Sequence, residues 1–309
     1  MNVAVLDIGS NSIKVLVATR HADGRLEALL LHTIDARISA GISKAHPRLG
    51  EEGMARGLAA IEDLLARASA FQPAKVELVA TSAVRDAENG HAFRERVAQA
   101  TGHWIRILSG DEEATLIGRG LTCDPALAGQ QDFYVFDLGG GSLECLAFRN
   151  RTVVGAASLP LGCVRLTERF IADPTAPIGT ADRHALATHV ERALHDGPFR
   201  FALPREAAAV FAGGSMTTIR ALLGAREGRR MQDAPSFIPR TTVQDLLERV
   251  VALPLAERKR IPGMPEARAD VFPAALITID AIARHGGFPG FQHSLYNLRW
   301  GLADAALPA

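Results

Sequence analysis

The most informative alternation of hydrophobic and polar positions lies between Phe133 and Phe148, FYVFDLGGGSLECLAF. An apolar run leads to Asp137, three glycines (Gly139, Gly140 and Gly141) follow, and an alternating run then places Leu143, Cys145 and Ala147 on one face. This pattern predicts two strands joined by a glycine turn. Glycines there permit positive φ and, lacking Cβ atoms, let backbone N–H groups approach an anion closely, with Ser142 adding a hydroxyl donor. Asp137 and Glu144 flank the turn from opposite strands, as a carboxylate pair suited to a hard cation such as Mg2+.

The chain contains the pattern twice. Val3 to Ala18, VAVLDIGSNSIKVLVA, aligns with the same stretch without a gap, putting Asp7 on Asp137, Gly9 on Gly139 and Ser12 on Ser142. A repeat so far from its copy implies duplication of a whole domain, because solenoid periods are far shorter. Two phosphate-binding turns are therefore expected to face each other across a cleft.

The remaining pattern alternates strands and helices. Leu26 to Ile34 reads as a strand, a loop with Gly41 and Pro47 follows, and Leu58, Ile61, Leu64 and Leu65 give Met54 to Ala70 helical spacing. Val76 to Ala80 reads as a strand running into Thr81-Ser82-Ala83-Val84-Arg85-Asp86. Arg85 then sits at the carboxyl edge of a sheet, where α/β folds bind ligands. A structural salt bridge to Asp86 or a neighbouring acid is the other reading, and position alone does not choose between them. Ser109 and Glu112 have the spacing of a capping box, so a helix starts there. Its dipole accounts for Asp111 and Glu112. Glu113, one position further in, is a candidate general base for a water if the start of this helix lines the cleft.

Gly118, Gly120 and the stretch from Asp124 to Gln131 interrupt the pattern, which sets a domain boundary between 1–124 and 125–298. Gly213-Gly214-Ser215, between a strand and a helix, fits either an anion site or a tightly packed turn. Phe291 to Tyr296 reads as a strand, followed by a closing helix from Arg299.

With 309 residues, 48% hydrophobic and 22% charged, the chain has material for two cores and contains no apolar run of membrane-spanning length. It opens directly in a strand without signal-peptide features, so a cytoplasmic protein is expected. A formal net charge of zero argues against binding nucleic acid through general electrostatics. The local clusters Arg226, Arg229, Arg230 and Arg258, Lys259, Arg260 read as solvated helix faces, with a polyanion groove as the alternative. Cys123, Cys145 and Cys163 form no CxxC pair and read as reduced, mostly buried thiols. His184 and His189 are spaced wrongly for a helical metal pair, and His195-Asp196, the signature dipeptide of metal phosphohydrolases, carries almost no weight alone. GxxxxGK[ST], HExxH, GxSxG and GxGxxG are all absent, which leaves phosphate chemistry to the paired hairpins.

In order, the chain carries DIGSNS at 7–12, TSAVRD at 81–86, SGDEEA at 109–114 and DLGGGSLE at 137–144. LGCVRL at 161–166 and GGS at 213–215 follow, then Arg268 with Asp270, and Leu298-Arg299 near the end. This ordered set closely resembles the exopolyphosphatase and guanosine pentaphosphate phosphatase family. The resemblance implies an α/β fold of two ribonuclease-H-like (actin-like ATPase) domains facing across a cleft, with the closing helix 299–309 packing back on the first. It also implies Mg2+-dependent release of terminal phosphate and a homodimer. By motif, Glu113 resembles the family's water-activating glutamate and Arg85 its phosphate-contacting arginine. Asp137 and Glu144, with Asp7 in the matching position, resemble the metal-binding acids. Asn11, Ser12, Gly140, Gly141 and Ser142 resemble the donors to phosphate oxygens.

Leu143 stands where a small or hydroxyl residue is usual, and Trp300 where an acid is usual. Asn297, a residue able to adopt positive φ, replaces a glycine. Without the additional helical domain of longer members, a short groove favouring shorter or smaller substrates is expected. The resemblance points first to hydrolysis of inorganic polyphosphate, with guanosine pentaphosphate as the alternative substrate. A sugar-kinase-like phosphotransferase and a non-catalytic polyphosphate or nucleotide binder are the readings from other classes.

Overall fold

A computed structural model describes residues 1–39, 46–204 and 206–308; Gly41, read as part of a loop, lies outside the described residues. The chain divides into two compact units, Met1–Ala128 with Tyr296–Ala309, and Gly129–Leu295. Each is α/β, as expected, and each is built on a mixed sheet.

In the first unit, β1 (Asn2–Ile8), β2 (Ile13–Arg20) and β3 (Leu26–Ile34) form an antiparallel meander, and β4 (Lys75–Ala80) and β5 (Ile105–Ile107) add to it in parallel. The strand order is β3-β2-β1-β4-β5. The second unit repeats this with β6 (Phe133–Leu138), β7 (Leu143–Arg149), β8 (Thr152–Leu159), β9 (Ala208–Ala212) and β11 (Gly290–His293). A short antiparallel strand, β10 (Phe237–Pro239), extends its edge, giving β10-β11-β9-β6-β7-β8.

The duplication reaches below topology. The register of β2 against β3 shifts between Val17 and Ala18, and that of β7 against β8 between Ala147 and Phe148, which are the aligned positions. Such bulges are inherited features of a sheet rather than defects. Central strands read as continuous apolar runs because both faces are covered, and Val3 to Leu6 and Phe133 to Phe136 are buried throughout. The second core is strongly aromatic. Phe136 packs against Phe199, Phe201, Phe211, Phe288 and Phe291 with ring centroids 5.7–6.5 Å apart.

Gly118 and Gly120 do not break the chain, as their composition suggested. Both lie inside the helix Gly110–Thr122, and Gly120 marks a close helix crossing. A Cβ on Gly120 would stand 2.1 Å from Asn297 O, and one on Gly301 would stand 1.8 Å from Leu116 O. These two glycines let the helix Leu298–Ala306 lie directly against Gly110–Thr122. Asp304 adds ion pairs to Arg20 at 2.7 Å and Arg119 at 2.5 Å, and the buried Arg299 donates from Nη1 to Val15 O at 3.0 Å.

Two further expectations change. Asn297 takes extended backbone, φ −157°, instead of positive φ, and caps the last helix by accepting from Arg299 N. Arg258 is no solvated face. It is 0% exposed and donates to the carbonyls of Leu253, Ala269, Pro174 and Ala176, so it clamps loops that have no ladder of their own. Trp300 is buried, with its ring 4.2 Å from that of Tyr296, and Leu143 is a core residue of the second unit. Cys145 and Cys163 are buried free thiols and Cys123 is half-buried. No helix among the described residues is long and apolar enough to cross a membrane.

His293, at the end of β11, is buried between Arg220, whose Nη1 lies 3.3 Å from Nδ1, and Thr217, whose hydroxyl lies 3.4 Å from Nε2. Burial first, and the Arg220 guanidinium second, push its pKa down to about 3. A neutral ring accepts from Arg220 and donates to Thr217, which in turn donates to Gly213 O. Unfolded histidine protonates near pH 6.5. The stabilisation is therefore complete above about pH 6.5 and is lost as pH falls towards about 3. Urea midpoints measured from pH 7 to pH 4 are expected to fall less in His293→Gln than in wild type. Gly120→Ala is expected to cost about 1–3 kcal/mol by overpacking, read as a lowered thermal midpoint.

Candidate active site

In the first unit, the parallel strands β1, β4 and β5 bring three chain segments to one sheet end. β1 runs into the turn Gly9–Ser12, which is closed by Gly9 N donating to Ser12 O at 3.2 Å. The Ser10 and Ser82 hydroxyls lie 3.4 Å apart and join this turn to the segment after β4. The helix Gly110–Thr122 begins after β5 with the expected capping box: Ser109 Oγ accepts from Glu112 N, and the Glu112 carboxylate accepts from Ser109 N. The first turn so fixed directs Glu113 inward, and Glu113 is only 5% exposed.

Arg85 ends the short helix Ser82–Arg85. Its Nη1 donates to Leu108 O at 3.0 Å and to Glu113 Oε2 at 2.9 Å, while Nε lies 3.5 Å from Asp86 Oδ1. The two candidate catalytic side chains are therefore each other's partners. Both the acid at Asp86 and an acid from another element are engaged, which the sequence had left open.

Both hairpin turns orient their amides by the same device. In the first, Arg37 N donates to Asn11 O at 2.9 Å, and Ser39 donates from both N and Oγ to Ser10 O. In the second, Gly139 N donates to Ser142 O at 3.0 Å. Val164 N and Arg165 N donate to Gly140 O, and Arg165 Nε donates to Gly141 O at 2.9 Å. No peptide here is cis. In a trans peptide the N–H opposes the preceding C=O, so tying down these carbonyls turns the N–H groups of Asn11, Ser12, Gly141 and Ser142 the other way. Asn11 adds a side-chain donor. Its Oδ1 accepts from Arg37 Nε at 3.3 Å, and its Nδ2 is buried without a hydrogen-bond partner among the described residues.

Gly139, Gly140 and Gly141 do not use the positive φ foreseen for them. The missing Cβ that matters here is at Gly162: the loop before the helix Cys163–Phe170 approaches so closely that a Cβ on Gly162 would stand 2.3 Å from the backbone of Gly140 and Gly141, whereas one on Gly139 would meet Ser142 O at an ordinary 3.5 Å.

Asp137 and Glu144 are directly opposed in the β6–β7 register, so both carboxylates lie on one face. Ser158 on β8 donates to Glu144 Oε1 at 2.9 Å. Asp137 Oδ1 occupies the space beside Gly213, where a Cβ would stand 2.3 Å from it, and Gly213 has φ +88°. The Arg268 guanidinium fills the corresponding space beside Gly214, 2.1 Å from where a Cβ would be. The Gly213-Gly214 turn is thus a packed support for Asp137 and Arg268. Two opposed carboxylates supply the hard oxygen donors and the small protein share that Mg2+ takes, its other positions going to water and phosphate. Among the described residues no group of three or more metal-ligating side chains comes together. Asp7 is opposite Lys14, 3.9 Å away, so the first hairpin pairs an acid with a base where the second pairs two acids.

The Ppx/GppA phosphatase family model matches residues 17–308. The chain belongs to this family. As a Ppx/GppA chain it is 32% identical over 297 residues to Exopolyphosphatase 2 of Mycobacterium tuberculosis, an alignment covering 91% of this chain and 90% of the relative. Among solved structures it superposes on an exopolyphosphatase from Cytophaga hutchinsonii with a TM-score of 0.85, at 22% identity and with 100% and 99% of the two chains covered. The Aquifex aeolicus PPX-GPPA enzyme gives 0.78 at 24% identity, with 99% of each chain covered. These structures share the fold.

Sequence reading of this Ppx/GppA protein missed Arg37, Ser158 and Arg165, which hold Asn11, Glu144 and Gly141. Ser158 had a readable signal, since extending the hairpin by one strand places it opposite Glu144, and Arg165 lay in the motif LGCVRL without a role. Arg37 and Arg165 become relevant only once the segment after the third strand folds back on the turn. The Arg85–Glu113 pair has an energetic test. In a double-mutant cycle of Arg85→Met and Glu113→Gln, folding stabilities are expected to be non-additive by about 1–3 kcal/mol, as for groups sharing one buried ion pair. Equilibrium denaturation of the four proteins reads it, and additivity would show that the contact contributes no coupling.

Proposed function

We propose that this chain is an exopolyphosphatase that hydrolyses the terminal phosphoanhydride of inorganic polyphosphate and releases orthophosphate. The observation that carries the reading is the buried carboxylate of Glu113, held by Arg85 at the sheet end where the turn Gly9–Ser12 orients its amides. The name of the relative from Mycobacterium tuberculosis supports the same substrate class.

In this proposal the oxygen of a water forms a bond to the terminal phosphorus as the bond from that phosphorus to the bridging oxygen breaks. Glu113 orients the water and takes its proton. The bridging oxygen leaves with the bond's electron pair, on a chain one phosphate shorter. In the first unit Arg85 and the donors of Asn11 and Ser12 are assigned to stabilising charge on the phosphoryl oxygens, where most of the acceleration in phosphoryl transfer arises, and in the second unit the donors of Gly140, Gly141 and Ser142 are assigned to phosphate oxygens. Asp137 and Glu144 in the second unit are the residues assigned to Mg2+, which when bound would supply positive charge to phosphate oxygens, and Asp7 in the first unit, opposite Lys14, is assigned to the same role.

Guanosine pentaphosphate ends in the same anhydride and is the alternative substrate. Phosphate release from polyphosphates of defined length and from guanosine pentaphosphate, with Mg2+, is expected to be fastest for polyphosphate. It is expected to fall by about 10²-fold or more in Glu113→Gln, mainly in kcat. Near-wild-type turnover in that variant would remove the proposed base, and release from the nucleotide alone would move the assignment to the alternative. Binding of polyphosphate without any release by wild type would identify a non-catalytic binder.

A further inference from the structure

The first unit holds a cavity of about 490 Å3 beside the edge strand β5, lined by Arg85, His91, Arg94, Trp104 and Arg106 among others. Its volume is within the roughly 300–1,000 Å3 of small-molecule sites. It shares Arg85 with the site described above and otherwise lies outside it.

Two properties converge here. The first is positive charge with one uncommitted member. Arg106 is paired with Glu112 at 3.4 Å, and Arg85 with Glu113 and Asp86. Arg94 has no acidic partner among the described residues, and its Nε is buried without a hydrogen bond. The second is an available aromatic surface. Trp104 is 62% exposed, whereas the other tryptophan, Trp300, is 5% exposed. The Arg94 guanidinium sits over the Trp104 ring, 5.0 Å from its centroid.

An isolated exposed aromatic residue needs no explanation. An exposed indole in a concave site with three guanidinium groups has a chemical complement, however. A bare polyphosphate would use the arginines and gain nothing from the ring. A molecule carrying both a planar heterocycle and phosphate uses both, since bases stack on aromatic rings and phosphates take charge-assisted hydrogen bonds from arginine.

We propose that this cavity binds a nucleoside phosphate, with the base against Trp104 and the phosphates on Arg94 and Arg106. Arg85 lines the cavity and also bonds Glu113, so one side chain links occupancy here to the carboxylate assigned to hydrolysis. The ligand is either the nucleoside end of a substrate or a free nucleotide acting as an effector. Its chemistry at this site is the same in both cases, and the site does not depend on the hydrolase reading.

The test is calorimetric titration of the whole chain with ATP, GDP and inorganic tripolyphosphate, for wild type, Trp104→Ala and Arg94→Gln, each first checked for a wild-type melting profile. Saturable nucleotide binding is expected in wild type, weakened on the order of tenfold or more by each substitution. Tripolyphosphate binding is expected to be unchanged in Trp104→Ala. Absence of saturable nucleotide binding at millimolar concentration would overturn the proposal. So would nucleotide binding that survives Trp104→Ala intact, or an equal loss of tripolyphosphate in that variant. Phosphorus NMR of the bound mixture separates the two sources: loss of the terminal phosphate marks a substrate, and intact recovery marks an effector. Trp104→Ala leaves Glu113 in place, so its rate of polyphosphate hydrolysis tests the proposed function separately.

Discussion

A carboxylate removed from water is costly unless a cation and hydrogen bonds answer it, and the first unit is arranged around supplying that answer to Glu113. Arg85 reaches it only because β4 ends at Ala80 and the chain turns at once through Thr81 and Ser82 into a single helical turn. The carbonyl of Leu108, immediately after β5, receives the same Nη1, so the arginine is fixed by backbone as well as by charge. The capping box then locks the start of the helix that carries the acid. Register in the sheet, a turn and a cap all fix the relative placement of two side chains from separate elements.

The hairpin turns solve a different problem, that of orienting peptide donors inside a folded chain. Buried N–H groups normally find a partner. Here the carbonyls on one side of each turn are consumed by the segment that follows the third strand, and the amides on the other side are left facing away. The same positions do this in both copies, which explains why the returning segments Arg37–Ser39 and Cys163–Arg165 matter as much as the turns. Between the copies, the electrostatics has diverged. Lys14 in the first hairpin occupies the place of Glu144 in the second, so the two turns present different fields on a shared backbone design.

The fold and much of the candidate site were legible because they rest on local signals. Periodicity gave the strands, the 130-residue echo gave the duplicated unit, and Ser109 with Glu112 gave the helix start that carries Glu113. What was illegible depends on approach between distant segments. Gly118 and Gly120 look like breakers in composition and are helix positions, Gly120 selected by a neighbouring helix. Arg258 looks like part of a charged surface run and is a buried clamp, because its partners are carbonyls scattered from Pro174 to Ala269. Gly139 to Gly141 suggest positive φ and do not use it, and the demand for space falls on Gly162, which no local pattern marks.

The glycine contact between Gly120 and Gly301 has a bearing on how the chain is made. Synthesis delivers β1 before the unit Gly129–Leu295 and the helix Leu298–Ala306 after it, so the face of Gly110–Thr122 that receives this helix stays uncovered until the intervening unit has emerged. The unit Gly129–Leu295 is contiguous and has all its parts in hand earlier. The unit that begins first is therefore the one that finishes second, and the interval in which its glycine face lies bare is the time taken to translate its duplicate.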